Sequence, residues 1–372
     1  MPIHLKTNQV VEALGMAFRA RRVPELRGNP GCGKSALVMQ FANEAKLLMI
    51  DARISQLEPT DLNGYPSKNE DNSRATVLPP DWIPLKGDKI PDGYNGWCLF
   101  WDERPDGDDH TKKALYKILH DKKVGQQDIH PAVFQVCAGN LVNSNNYAEE
   151  DSDAIKLRIQ TLYVMSDLQA FLEHAIPAGI DSRITSYLNW RPQHLNTYEE
   201  MKPGQDGCAV ERTWTYVDQW IKGNSPCSGT HSDIKYPHMF DIASHPLALP
   251  MIAGELGEGV ARDWLTYLEV YKDLPSKEEI FLNPTTAIMP EQPGTLYAMT
   301  GNIGNWCKGM SNPVASQQGY DKHLDSVMEY ISRMPMDFQV VSVIEMIKRD
   351  APLIDLDPVA DWINKNGSLL AA

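Results

Sequence analysis

Residues 28–35 read GNPGCGKS, and the reading of this stretch decides the fold. One glycine, four residues, then Gly33-Lys34-Ser35 is the spacing of a phosphate-binding loop, or P-loop. Its glycines let successive backbone N–H groups turn inward around phosphate oxygens. The lysine amine reaches the β- and γ-phosphates, and the serine hydroxyl holds Mg²⁺. On this reading Gly28, Asn29, Pro30, Gly31, Cys32, Gly33, Lys34, Ser35 and Ala36 form a cradle for ATP, and Ser35 is one Mg²⁺ ligand. The motif demands a strand before it and a helix after it. The helix is plain: in ALVMQFANEAKLL, Ala36, Leu37, Met39, Phe41, Ala42, Ala45 and Leu47 include i, i+3 and i+4 spacings. Its N-terminal dipole favours an anion. The strand expected over Val23–Leu26 is short and interrupted by Pro24.

A hydrolase built on such a loop also needs a carboxylate near the metal and a means of activating water. Residues 97–103, WCLFWDE, supply both. The apolar run Trp97–Trp101 predicts a buried central strand, and Asp102-Glu103 then stand at its C-terminal end, where open α/β sheets place their ligands. Asp102 is expected to hold Mg²⁺, through its waters, and Glu103 to polarise the attacking water as general base. A third strand, AVFQVCAGN, ends at Asn140. That amide either orients the water or the γ-phosphate, or is a turn-former after Gly139. Between these strands, TKKALYKILHDKKVG predicts a helix with Ala114, Leu115, Ile118 and Leu119 on one face.

The whole chain sets the bounds. Its 372 residues suggest two or three domains with ample core, and 42% hydrophobic with 23% charged residues is ordinary for a globular protein. No apolar run approaches the ~18 residues that span a bilayer. The N-terminus lacks the basic and apolar regions of a signal peptide, so a cytoplasmic location is expected and no membrane partner. Six cysteines lie far apart without a CxxC pair, which argues against a zinc site or a disulfide framework. A net charge of −14 disfavours non-specific binding to phosphate backbones, although a local basic pore could escape the average. Segments 65–76, 142–153 and 222–233 are polar and turn-rich and read as exposed loops.

The order P-loop, strand-Asp-Glu, strand-Asn resembles an AAA+ ATPase, in particular the MoxR-like branch found in bacteria and phages. IDARISQLEPTDLNGYP (50–66) and LPPDWIPL (78–85) are similar to the insertion of that branch, placed here at about 54–84. LFWDERPDGDDHTKKALYKILHDKKVG is similar to its Walker B strand and following helix. DAIKLRIQTLYV (153–164) resembles the segment with the arginine finger, which implies that role for Arg158. ERTWTYVDQWI (211–221) resembles the start of the sensor-2 helix, which implies that role for Arg212. Taken as residues alone, Arg158 could lie on a solvated face and Arg212 could form a cation–π pair with Trp214. The likeness covers roughly residues 1–350, with departures. After Asp102-Glu103 the family usually has Asn-Arg-Ala where this chain has Arg104-Pro105-Asp106, and the finger segment usually ends Arg-Phe where this chain has Arg158-Ile159.

The resemblance implies an α/β core with a parallel sheet, a helical lid and a self-assembled ring, a hexamer. The core is expected over about 1–190, the lid over 208–285 and a helical C-terminal extension over 286–372. Within the last, 284–320 reads as irregular, and DKHLDSVMEYISRM and DFQVVSVIEMIKRD read as helices. Three functions compete. One is a ring ATPase that remodels a protein client in chaperone fashion, with a von Willebrand A-type partner. The second is a DNA-associated motor or helicase-related ATPase. The third is a scaffold that binds nucleotide without hydrolysis. Glu103 argues against the scaffold. The acidic balance and the absence of basic residues interleaved with aromatics argue against the motor.

Overall fold

The structure is a computed structural model that describes residues 3–69, 71–141, 157–202, 204–222, 245–271, 274–311 and 320–366. The expected loops at 142–153 and, beyond Lys222, at 222–233 lie outside them. The chain divides into two compact units, 1–167 and 168–372.

The first unit is a six-stranded sheet in the order β1-β10-β2-β9-β6-β3, every pairing parallel. These strands are His4–Lys6 (β1), Val23–Arg27 (β2), Leu47–Arg53 (β3), Gly96–Asp102 (β6), Val133–Gly139 (β9) and Ile159–Met165 (β10). Parallel strands need crossovers and are covered on both faces, so their sequences run apolar rather than alternating. β6 shows why. Cys98 and Phe100 pack with Val10, Leu14, Val38 and Phe41 of the helices Thr7–Arg19 (α1) and Lys34–Glu44 (α2). Leu99 and Trp101 face the other way and pack with Leu115 and Ile118 of Asp109–Asp121 (α4). The polar Gln135 on β9 is buried because both ends of its amide are used. It accepts from Trp101 Nε1 at 3.1 Å and donates to the Ile118 carbonyl at 3.2 Å. Register explains how a central strand tolerates Pro24: β9 joins β2 only from Glu25 onward, so one ladder flanks the proline. This parallel sheet with helices on both faces, entered by a P-loop, is the α/β architecture with a parallel sheet expected from the sequence.

Segment 65–76, read as a loop, is instead most of a hairpin. Tyr65–Lys68 (β4) pairs antiparallel with Ala75–Leu78 (β5). It follows the short helix Pro59–Asn63 (α3), whose Leu62 is fully buried. The polar composition that suggested a loop reflects exposure, since both strands face solvent. Gly64 is obligatory at the junction: φ is +86°, and a Cβ there would stand 2.3 Å from the Leu78 carbonyl oxygen. The last pair of strands, Lys123–Val124 (β7) and Gln127–Asp128 (β8), closes a tight turn after α4.

The second unit is helical. The helices Leu168–Ala175 and Ser182–Trp190, counted with the core in the sequence reading, share one buried cluster with Trp214, Ile252, Trp264 and Tyr267. A second cluster joins Met299 and Ile303 to Tyr330, Ile331, Val343 and Trp362. The helices Tyr320–Ser332 and Met336–Arg349 lie where the periodicity predicts them. The expected irregular segment 284–320 is corrected: Pro293–Cys307 within it is a helix of 15 residues. Its proline sits at the first turn, where no intrahelical donor is lost. Its glycines mark close packing rather than breaks. A Cβ on Gly301 would come within 2.8 Å of Ser186 Cβ, and one on Gly304 within 3.1 Å of Glu345 Cβ.

Candidate nucleotide-binding site

β2 ends at Arg27 and the chain enters the loop at once. Gly31 and Gly33 adopt φ of +78° and +84°, a left-handed backbone natural to glycine. The space where a Gly33 Cβ would project is open. Gly28 serves packing instead, since a Cβ there would lie 2.8 Å from the Val164 carbonyl of β10. Asn29, Pro30 and buried Cys32 complete the turn. α2 begins at Lys34, with Gly33 as its N-cap and Ala36 in its first turn.

Lys34 lies along the loop and is buried. Its Nζ donates to the carbonyls of Gly28 and Asn29 at 2.9 and 3.0 Å and to Asn140 Oδ1 at 3.2 Å. Ser35 Oγ donates to Asp102 Oδ2 at 3.1 Å. Two oxygen ligands, one from the first turn of α2 and one from the end of β6, thus converge beside the loop, the hard-ligand chemistry that suits Mg²⁺. The cradle and this oxygen pair fit ATP and Mg²⁺. Lys34, Ser35, Asp102, Glu103 and Asn140 all gather at the C-terminal ends of β2, β9 and β6, three adjacent strands.

Glu103 follows β6 at φ +53° and ψ +32°, a conformation unusual for a residue with a Cβ. Its backbone N–H donates to Asp102 Oδ1 at 2.9 Å, and its carboxylate accepts a short hydrogen bond from Ser55 Oγ. Ser55 follows β3, whose Arg53 pairs in register with Asp102. Asp51, also on β3, has its carboxyl held above the ordinary range by desolvation, then by repulsion from Asp102. Arg53 opposes this and Glu103 adds to it. Neither Ser55 nor Asp51 stood out in sequence, because only the parallel register of β3 on β6 brings them to this edge.

Beneath the loop lies an ion network. Glu25 is buried on β2, and Arg27 Nε reaches its Oε2 at 2.9 Å. Arg104, buried in the turn after Glu103, donates to the same carboxylate, with Nη2 3.0 Å from Oε2. Arg27 Nη1 also donates to the Asn140 carbonyl at 3.3 Å. The departure Arg104-Pro105-Asp106 therefore has a physical role in the core. Arg104 ties the turn to β2, and Pro105 packs on Gly139, where a Cβ would stand 2.3 Å from Pro105 Cδ.

Arg158 and Arg212 belong to other elements. Arg158 is exposed just before β10, whose first residue Ile159 pairs with Val23 at the start of β2. It therefore sits at the N-terminal edge of the sheet, one strand length from the loop, roughly 16 Å for five residues. Arg212 is exposed on the helix Glu211–Lys222 of the second unit. Trp214 is fully buried, with its Nε1 donating to the His194 carbonyl at 2.9 Å. Among the described residues no cation–π pair joins these two. No group of three or more His, Cys, Asp or Glu able to hold a metal occurs among the described residues. No helix there is long and apolar enough to cross a membrane.

The chain matches no family model and no curated protein sequence. Among solved structures it is similar to two variants of RuvB from Thermotoga maritima. They are 14% and 13% identical with TM-scores of 0.36 and 0.37, covering 85% and 84% of this chain and 85% and 80% of theirs. A candidate ATPase from Cytophaga hutchinsonii is 10% identical at a TM-score of 0.33, over 96% of this chain and 87% of its own.

Proposed function

We propose that the chain is an AAA+ ATPase of MoxR-like type. It acts as a ring, hexameric on the resemblance, and couples ATP hydrolysis to the remodelling of a protein client or of a complex with a von Willebrand A-type partner. The observation that supports this best is the meeting of Lys34, Ser35, Asp102, Glu103 and Asn140 at one sheet edge beside the loop.

The residues divide the work as follows. Gly28 to Ala36 wrap the phosphates with backbone N–H groups. Lys34 exchanges its contacts to the loop carbonyls for phosphate oxygens. Ser35 and Asp102 hold Mg²⁺, which when bound neutralises charge on the transferring phosphoryl group. Glu103, set by its backbone and by Ser55, takes the proton of the attacking water. Asn140, held between Lys34 and Arg27, orients that water or the γ-phosphate. Arg158 acts on the nucleotide of a neighbouring copy through heterologous head-to-tail contact, which closes into a ring. Arg212 serves as the sensor arginine of the helical unit.

Two substitutions test the core chemistry. Lys34→Ala should abolish ATP binding. Glu103→Gln should bind ATP normally yet release phosphate ~10²–10⁴-fold more slowly, the usual cost of losing a positioned base. Undiminished phosphate release by the Glu103→Gln protein would overturn the assignment.

A further inference from the structure

We propose that the buried Glu25 carboxylate is a positioning residue for hydrolysis. Through Arg27 it fixes the backbone of Asn140, and through Arg104 it fixes the turn that begins at Glu103. The part those two residues play in the reaction rests on the reading above, whereas the anchoring of the two turns does not.

The starting point is a set of charges out of place. β2 lies between β10 and β9, and a strand covered on both faces normally reads apolar. Yet Glu25 within it is 1% exposed, and Arg27 and Arg104 are 7% and 2% exposed. Burying ions is costly, and well-packed apolar side chains of similar volume often stabilise as well or better. Stability alone therefore gives no reason to keep three charges here. Their geometry does.

Arg104 meets the carboxylate side-on, Nε to Oε1 and Nη2 to Oε2, a bidentate pairing that fixes orientation as well as distance. Arg27 places Nε 2.9 Å from Oε2 and donates from Nη1 to the Asn140 carbonyl at 3.3 Å. One carboxylate thus leads to both turns. Arg104 is the first residue of the turn 104–106, in which the Asp106 N–H donates to the Glu103 carbonyl at 3.0 Å. Glu103 itself keeps φ at +53°, a backbone that its surroundings must impose. Strand order makes the link a clamp. β9 lies between β2 and β6, so a bond from the turn after β6 to Glu25 on β2 spans the end of β9. Pro105 bears on Gly139 at that end, one residue before Asn140. The general-base turn and Asn140 are therefore set against each other by one buried group. Alignment of this kind is worth much in rate, since a displacement of about 1 Å can cost ~10²-fold.

Hydrogen–deuterium exchange at single amides tests the anchoring without any catalysis. The Gly28 amide, bonded to the Gly139 carbonyl at 3.4 Å, reports the end of β9, and the Asp106 amide reports the Glu103 turn. Arg27→Met should speed exchange at Gly28 roughly ten-fold and leave Asp106 unchanged, the scale of losing one hydrogen bond. Arg104→Met should do the reverse, and Glu25→Gln should release both. If a methionine variant does not fold, Arg27→Lys and Arg104→Lys, which keep a cation at Glu25, carry the same comparison. Exchange that rises evenly over the whole sheet, or at neither reporter, overturns the proposal. Steady-state kinetics test the consequence. Arg27→Met should lower kcat about ten-fold with KM for ATP unchanged, and should add nothing in an Asn140→Ala background. Arg104→Met should likewise add nothing in a Glu103→Gln background, because residues acting through one another are not additive. Additive losses in both backgrounds overturn the positioning role. A wild-type chain that releases no phosphate overturns the ATPase reading instead, and the exchange pattern still decides whether Glu25 anchors the two turns.

Discussion

At the scale of single residues, the motif and the contacts around it differ in how they could be read. Lys34, Ser35, Asp102 and Glu103 were legible because each belongs to a short pattern that carries its own chemistry. Ser55 was not, since its contact with Glu103 spans 48 positions and exists only through the β3–β6 register. Asn140 was left open between a turn role and a site role, and its side chain accepts from Lys34 Nζ. On the proposed reading of Glu103 as general base, Ser55 matters because a carboxylate left to rotate loses its aim at the water, and alignment is a large part of what an active site supplies. Ser55→Ala removes a charge-assisted hydrogen bond worth about 1.5–3 kcal/mol, most of it recoverable by solvent at this exposed position. We expect kcat to fall roughly ten-fold, which corresponds to about 1.4 kcal/mol, with KM for ATP unchanged. Steady-state kinetics check this, and a rise in KM alone would show that Ser55 helps bind substrate instead of positioning Glu103.

At the scale of elements, β6 and β9 were plain in sequence because a strand buried on both faces reads as an unbroken apolar run. The helix Pro293–Cys307 was hidden for the converse reason. Its glycines look like breakers in sequence and become contact points only when neighbouring helices approach them. The turn 104–106 was noticed as a departure from the family pattern, but its purpose depended on Glu25, 79 positions away. Two guanidinium groups share that buried carboxylate, so its loss strands two cations, whereas the loss of one guanidinium leaves a single ion pair. Arg104→Met leaves Glu25 with Arg27 alone and loosens the turn from β2. Glu25→Gln leaves Arg27 and Arg104 facing each other across a neutral amide. Breaking a buried pair in this way costs about 3–5 kcal/mol. Urea titrations should show Glu25→Gln destabilised by that order and Arg104→Met by less, since Glu25 keeps Arg27 there. The Glu25→Leu/Arg104→Met double variant should recover part of the loss, because it removes one buried charge from each side. Additive destabilisation in the double variant would mean that the three groups are not coupled.

At the scale of the whole molecule, composition misleads where charge is unevenly placed. A net charge of −14 suggested a chain that avoids phosphate, yet Arg21, Arg22, Lys122 and Arg158 share one pocket at the N-terminal edge. The opposite edge carries Asp51, Asp102 and Glu103 near the loop. Cations concentrated in one small pocket differ from the extended basic groove, interleaved with aromatics, that tracks a nucleic-acid strand. The β4–β5 hairpin offers a different surface, with Tyr65 and Leu78 exposed at 56% and 64% among polar neighbours. Apolar groups set in a mixed-charge projection suit contact with another protein. The proposed client is therefore a protein, and the hairpin is where its loss should be felt. Tyr65→Ser with Leu78→Ser should leave basal ATPase unchanged while lowering recovery of a client by the Glu103→Gln trap. ATPase rate should not respond to single- or double-stranded DNA at low salt. A DNA motor would behave otherwise: its rate would rise several-fold with DNA, and its binding would weaken with salt by about 0.9 in log–log slope for each duplex phosphate neutralised. That pair of results, together with a hairpin variant that changes nothing, would replace the remodeller with the motor.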